Sequence, residues 1–367
     1  MQIMEFPDFP ANTAGESYLH HSQVLQYLHD YADHFALRPF ISFSHQLLKV
    51  ARNQSDNVWE VTVNQQLPKP ISFTRHFDIL LLCPGRYSRP KWPADLIETL
   101  SNFTGSVVHS HSYRSREAYA GQRVAVIGGG PSGLDISLEV STVAREVLFI
   151  HRNAAERVFH RLPANVRQIR GDVKRFTANT VEVVVLPAET TLSCPIDAVI
   201  FATGYQLSLD FLDQPSSCGL RLNTESDSID GLYRHLVNVA HPSMAILAVA
   251  VGAVLPFPLY HQQVRYFRAL QLGVFELPAA AKITENEEMK VQTPEKRNCP
   301  NRHLLADAES LRRYIRSLEA EAKLDRPLKP VLLTLFSDLL HRIQLENSGG
   351  YREQRVVLIN DEQYELY

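Results

Sequence analysis

The sequence predicts an α/β fold, and three observations carry that prediction. An apolar five-residue run, Arg123–Ile127, leads into a glycine-spaced turn and then a segment with helical spacing that opens at Pro131. A second apolar run, "EVLFIHR", follows that helix, and a third, "IDAVIFATGY", lies further on. Short apolar runs alternating with helical segments read as parallel strands joined by crossovers.

Taken in order, "MQIMEFPDFPANTAGESYLHH" is rich in proline and turn residues and enters as an extended loop. From Val24 to Phe35, apolar residues at 24, 25, 28, 31, 32 and 35 follow helical spacing, and Ser22 is placed to cap the first turn. Between Phe40 and Cys83 the text is strand-like: "PFISFSH", "VWEVTV" and "FDILLLC" are separated by turn residues at Asn53-Gln54 and Lys69-Pro70. The run Met244–Leu255 stops at Pro256, well short of the ~18 to 20 residues of a spanning helix, and reads as a buried strand and turn. Residues from Ala279 to Asn301 are polar and loop-like, and two helical stretches follow, around Leu311–Ala322 and Val331–Leu345. No internal repeat or low-complexity tract is present.

With 367 residues, 45% apolar and 21% charged, the chain has the composition of a soluble globular protein large enough for two domains. A net charge of −3 gives no electrostatic case for nucleic acid or an anionic membrane as partner. Cys83, Cys194, Cys218 and Cys299 have no C-x-x-C spacing, which argues against a zinc site, a disulfide scaffold or a dithiol pair and fits a reducing compartment. The first twenty residues carry Glu5, Asp8 and proline breaks where a secretory signal needs an apolar stretch.

The glycine turn has a physical reading. Gly128, Gly130 and Gly133 fall on the G-x-G-x-x-G spacing where the strand must turn into a helix. The first permits the tight turn, the second lets backbone approach a pyrophosphate, and the third lets helix and strand pack closely. Pro131 suits the first helical turn, and Ser132 follows it. Unpaired amides and the helix dipole then face the phosphates. At the end of the next strand an NAD site carries an acidic residue for the ribose 2′-hydroxyl. Here "VLFIHRN" offers His151 and Arg152, and Arg152 is suited to clamp a 2′-phosphate, which favours NADPH over NADH. The alternative for Arg152 is a solvated charge at a strand end.

Upstream, "FTGSVVHSHSY" places Phe103, Gly105, His109 and Tyr113 on the F-x-G-x-x-x-H-x-x-x-Y pattern. In that position the sequence resembles the flavin-containing monooxygenases, the dimethylaniline monooxygenase group. "FPDFP", "HHSQVLQYLHDYADHF", "PGRYSRP", "FATGY" and "LPFPLYHQQVRYF" resemble family segments in the same order, most weakly after Ala279. The resemblance implies two Rossmann-like domains, with the NADPH domain inserted in the FAD domain. The expected boundaries are 1–113 and 205–367 for the two parts of the FAD domain and 114–204 for the NADPH domain. It also implies FAD and NADP(H) as cofactors, with Gly128, Gly130, Pro131, Ser132 and Gly133 at the pyrophosphate and Arg152 at the 2′-phosphate. Phe103–Tyr113 and Thr203-Gly204-Tyr205 would be the crossings between domains, and Gln23 and Gln263 lie near the flavin. The implied reaction is oxygenation of soft nitrogen or sulfur nucleophiles by O₂ through a flavin C4a-hydroperoxide, as in xenobiotic metabolism. The cofactor carries that chemistry, so no protein acid, base or nucleophile is required.

Several departures from the family pattern stand out. No G-x-G-x-x-G precedes Gly128, so the FAD domain is expected to be truncated at its N-terminus, without its first βαβ unit. Arg86 stands in "PGRYS" where histidine is usual, and His261 in "LYHQQ" where glutamate is usual. A non-catalytic, NADPH-binding form with a regulatory role or none is therefore the alternative function, and FAD content separates the two. A flavoprotein disulfide reductase is disfavoured by the absence of paired cysteines. His20-His21 and His109-Ser110-His111 lack a partner with metal-ligand spacing, Ser132 is not in a nucleophile elbow, and Tyr260, Tyr266 and Phe267 read as core. The polar ending "NDEQYELY" suggests a cytoplasmic protein with no transmembrane segment, and a homo-oligomer is compatible with the sequence.

Overall fold

The computed structural model describes residues 4–11, 16–53, 55–152, 162–212, 218–224, 227–250, 255–278, 303, 305, 307–346 and 354–367. The segment 279–302, expected to be a loop, and Cys299 lie outside the described residues. The chain divides into two compact units: Met1–Arg86, Leu207–His341 and Arg352–Tyr367 form one, and Tyr87–Gln206 with Arg342–Tyr351 the other.

In the first unit, α1 spans His21–His34. It is capped by His20, whose side chain accepts from the Ser22 amide while the Gln23 side-chain oxygen accepts from the His20 amide. Ser22, expected as the cap, is the second residue of the helix. Imidazole can replace the usual short capping side chain because its Nδ1 reaches the same amide.

The expected strand "PFISFSH" does not form. Pro39 sits in a 3-10 turn over Arg38–Phe40, and the Ile41 amide closes on the Arg38 carbonyl. Phe40 and Phe43 stay 86% and 68% exposed, so this apolar text has no buried face to pair. The first strand, β1 (His45–Asn53), starts at the end of that segment and forms an antiparallel meander with β2 (Val58–Gln65) and β3 (Ile71–Phe77). Next comes β4 (Leu80–Leu82), and in the second unit β5 (Arg89–Pro90), α2 (Ile97–Leu100) and β6 (Ser106–His109) follow.

That second unit continues with β7 (Arg123–Ile127), α3 (Pro131–Ser141), β8 (Glu146–His151), β9 (Val166–Phe176), β10 (Thr180–Val185), β11 (Thr190–Pro195), β12 (Ala198–Phe201) and β13 (Tyr205–Gln206). Six of these strands and β6 form one sheet in the order β11-β10-β9-β8-β7-β12-β6. The five from β9 to β6 are parallel to one another, and β10 and β11 extend the sheet antiparallel beyond β9. Such strands are covered on both faces, which explains why Val124, Ala125, Val126 and all of β12 are fully buried. Val124, Val126, Val147 and Phe149 pack with Ile136 and Val140 of α3 on one face. Ile127, Leu148, Ile150, Ile169 and Phe201 fill the other. The chain winds outward from β7 through β8 to β9, then returns to insert β12 on the opposite side of β7. That reversal opens the crevice where open α/β sheets bind ligands.

Back in the first unit, β14 (Arg221–Asn223) pairs with β15 (Ser228–Asp230). A four-stranded sheet runs β16 (Leu232–Tyr233), β17 (Val237–Asn238), β18 (Met244–Ile246) and β4. The fully buried β18 is the strand expected at Met244. Three helices follow, α4 (Pro256–Gln271), α5 (Ala308–Glu321) and α6 (Pro330–Glu346), and the hairpin of β19 (Val356–Leu358) and β20 (Tyr364–Leu366) comes last. Tyr266 and Phe267 of α4 are buried, in keeping with a core reading. Among the described residues no helix is long and apolar enough to cross a membrane.

Candidate functional site

At the carboxyl end of β7 the backbone makes the turn that the glycine spacing requires. Gly128 has φ +129, a left-handed value that only glycine adopts without strain, and a Cβ there would stand 2.2 Å from the Ala202 carbonyl oxygen on the neighbouring strand's exit. A Cβ on Gly133 would lie 1.8 Å from the Gly128 carbonyl oxygen, so this glycine sets how closely α3 approaches the loop. Gly130 is different: its φ is −82, and nothing lies within 4 Å of where a Cβ would be. The protein packs tightly around the first and third glycines and leaves the space over the second one open.

Gly130 is also the N-cap of α3, and no side chain caps the helix. Pro131, at the first helical position, has no N–H to leave unsatisfied. Gly130, Pro131 and Ser132 are exposed, so the helix end, with its partial positive charge, opens to solvent. Such an arrangement can accept an anion without rearranging the turn.

The next strand delivers the other half. His151, the last residue of β8, is buried, and burial pushes its pKa down against a hydrogen bond to Gln168. It is a neutral ring packed on Phe149 and not a cation at the surface. Arg152 behaves oppositely: its side chain is 74% exposed and its Nε is ion-paired to Asp172 of β9. Of the two residues expected at a 2′-phosphate, only Arg152 presents charge.

The F-x-G-x-x-x-H-x-x-x-Y residues gather along β6 and its exit. Phe103 is core, packed on Phe176. Gly105 has no room for a side chain, because a Cβ would meet the Asp197 carbonyl oxygen at 2.2 Å. His109 ends β6 opposite Phe201 and is 1% exposed. Its Nδ1 accepts from the His111 amide at 3.1 Å, which fixes the tautomer with the proton on Nε2. Burial pushes its pKa down, with a hydrogen bond to the Gly204 backbone opposing and His111 adding to the fall. Trp92 and Tyr205 flank the ring at 5.5 and 5.4 Å. Tyr113 stacks on Tyr119, and burial, reinforced by Glu139, pushes its hydroxyl up. Thr203 donates to the Lys91 carbonyl at 2.5 Å, and Gly204, at φ +80, accepts from the Lys91 amide. His109, Gly128, Ala202 and Gly204 therefore converge on the carboxyl ends of β6, β7 and β12.

Two expected residues lie in the first unit and do not join this cluster. Gln23 is exposed on α1, bonded to Glu16 and to its own helix cap. Gln263 is fully buried on α4 and donates to the Tyr314 hydroxyl of α5 at 2.9 Å, while its Oε1 is buried without a partner among the described residues. The residues that sequence reasoning missed are Trp92 and Asp172. No spacing relates Asp172 to Arg152, because the two meet only through the pairing of adjacent strands. Among the described residues no group of three or more His, Cys, Asp or Glu is placed to hold a metal ion.

Comparison with known proteins adds the family. A model described as flavin-binding monooxygenase-like matches residues 1–165 and 158–338. Senecionine N-oxygenase of Tyria jacobaeae is 26% identical over 99% of this chain and 76% of its own length. Flavin-containing monooxygenase 5 of Oryctolagus cuniculus is 25% identical, covering 94% of this chain and 75% of its own length. A GS-OX-like flavin-containing monooxygenase of Arabidopsis thaliana is 27% identical over 84% of this chain and 66% of its own length. The chain thus spans roughly two thirds to three quarters of these relatives. Among solved structures, S-allyl-L-cysteine S-oxygenase from Allium sativum superposes with a TM-score of 0.80 at 22% identity, over 96% of this chain and 78% of that one.

Proposed function

The chain belongs to the flavin-binding monooxygenase-like family, and from that membership and the cradle at Gly128–Gly133 we propose an NADPH- and O₂-dependent oxygenation of nitrogen or sulfur in a small nucleophile. FAD and NADPH are the cofactors of the family. The residues present fit NADP(H). The open space over Gly130 takes the pyrophosphate, the uncapped end of α3 supplies donors, and the exposed Arg152 fork meets the 2′-phosphate. The single observation that carries this reading is the contrast among the three glycines, closed at Gly128 and Gly133 and open at Gly130.

Bound flavin supplies the redox chemistry between NADPH and O₂, so the protein has to bind, orient and exclude water. Neutral His109, held between Trp92 and Tyr205 with its Nδ1 on the His111 amide, keeps the exit of β6 ordered beside the cradle.

The residues expected at the flavin do not build a comparable cradle. Gln23 and Gln263 are committed to Glu16 and Tyr314, and among the described residues of the first unit no glycine triplet of the Gly128 type joins a strand to a helix. The second reading is an NADPH-binding form without catalysis. Incubation of the purified chain with FAD, NADPH, O₂ and either N,N-dimethylaniline or a thioether distinguishes them. Formation of the N-oxide or S-oxide supports the monooxygenase, whereas bound NADPH with no oxide supports the non-catalytic form.

A further inference from the structure

Resting on the reading that Gly128–Gly133 and Arg152 hold NADP(H), we propose that Asp172 sets how strongly the site prefers a 2′-phosphate, by competing for the Arg152 guanidinium. Strands β8 and β9 run parallel in register, His151 opposite Arg170. Strand alternation then puts Gln168, Arg170 and Asp172 on the face of β9 that His151 shares on β8. Just beyond β8, the Arg152 Nε is ion-paired to an Asp172 carboxylate oxygen. Both groups reach water, the arginine side chain 74% and the aspartate 41% exposed, so the pair sits at the open strand ends and not in the core.

Asp172 cannot easily withdraw. A Cβ on its neighbour Gly171 would stand 2.4 Å from the Val184 carbonyl oxygen, and Val184 is the β10 partner of Asp172. The backbone of β9 is therefore pressed against β10 at the residue that carries the carboxylate. A guanidinium edge that holds a carboxylate is not available to a phosphate, and a phosphomonoester near pH 7 carries close to two negative charges, which the carboxylate repels. A ribose with a free 2′-hydroxyl meets the opposite situation, since a carboxylate at this place is the acceptor that such a hydroxyl needs. The site holds both determinants, paired to each other. Exposed pairs are weak, so the phosphate displaces Asp172 at a cost and is not shut out. The structure thus assigns Asp172 as a specificity-determining residue that narrows the preference for NADPH.

Calorimetric titration of the full chain with 2′,5′-ADP and with 5′-ADP tests this without any turnover. Asp172→Asn is expected to bind 2′,5′-ADP about three- to fivefold more tightly, the size of one exposed charge pair, with no gain for 5′-ADP. The same substitution made with Arg152→Ala is expected to give a smaller gain, because there is no fork left to release. An unchanged or reduced ratio of the two affinities in Asp172→Asn, with wild-type binding of 2′,5′-ADP intact, overturns the role of Asp172 alone. Failure of the wild-type chain to bind either nucleotide overturns the cofactor reading on which it rests. The side chain is partly exposed, so the variant folds, and a thermal melt matching wild type verifies that the ratio reports recognition.

Discussion

Adding one methyl group to the glycine loop at two different places is predicted to have two different outcomes. In Gly133→Ala the new carbon would sit 1.8 Å from the Gly128 carbonyl oxygen and 3.4 Å from the Ala202 Cβ. Neither neighbour is a flexible side-chain end, so the loop backbone must move by roughly an ångström. Overpacking of that kind costs about 1–3 kcal/mol, and a backbone clash puts this variant at the upper end. At about 2–4 °C per kcal/mol, the melting temperature falls by roughly 5–10 °C. In Gly130→Ala nothing lies within 4 Å of the new carbon and φ is already −82. The fold loses only the preference of an N-cap for glycine over alanine, on the order of 1 kcal/mol. The methyl instead occupies the space reserved for the pyrophosphate, and the same overpacking range of about 1–3 kcal/mol raises the Kd for NADP⁺ roughly fivefold to a hundredfold. Thermal melts and calorimetric titration on both variants separate the effects. A Gly130→Ala protein that binds NADP⁺ as wild type does, or a Gly133→Ala protein that melts with wild type, would refute the reasoning.

Other consequences follow from the same structure. Arg152→Ala should raise the KM or Kd for NADPH roughly tenfold while leaving NADH nearly unchanged, since it removes a charge-assisted contact to the 2′-phosphate alone; an unchanged preference removes that assignment. Arg86, where the family usually has histidine, pairs with Asp227 and donates to the Val249 carbonyl, while Asp227 also accepts from the Leu207 amide. Arg86→Ala should therefore destabilise by roughly 2 kcal/mol, and the pair Arg86→Ala with Asp227→Asn by less than the sum, measured by denaturant titration. His235 is half-buried against Tyr314 and His303, and desolvation, with Arg234 adding, lowers its pKa to about 4. Because the folded value is depressed, its contribution is complete above the unfolded value near 6.5 and is lost as pH falls from there toward 4, about 3 kcal/mol at most. Replacing His235 by glutamine should flatten the stability profile between pH 6.5 and 4, and an unaltered slope would show that the ring does not stay neutral.

The parts of this protein that could be read from its sequence are those where one element determines its own environment. The run Arg123–Ile127 is a strand with those bounds, and the helix starts at Pro131, because glycine spacing, proline and apolar clustering all act over a few residues. The second unit's buried strands were legible for the same reason. "PFISFSH" misled because apolar content was mistaken for burial: Phe40 and Phe43 face outward, and Pro39 directs the chain into a 3-10 turn. His20 was passed over as a cap because imidazole rarely takes that place, although Gln23 at the third helical position signals a capping box.

At the candidate site, the positions of Gly128, Gly130, Gly133 and Arg152 around one strand–turn–helix–strand unit were legible from spacing, since that unit is local in the chain. His151 was expected beside Arg152, and its burial at the end of β8 is set by the strands that cover it, which no local pattern reveals. The contacts of Trp92 and Tyr205 with His109, and of Asp172 with Arg152, join residues far apart in the chain. They depend on which strands become neighbours, so only the folded sheet displays them.

The visible absorption spectrum of the gently purified chain, recorded before and after adding NADPH without air and again after admitting air, tests the central claim most directly. The account predicts a flavin spectrum that bleaches with NADPH and recovers in air. A colourless chain that still binds NADPH would contradict the monooxygenase reading and leave the dinucleotide cradle as its working part.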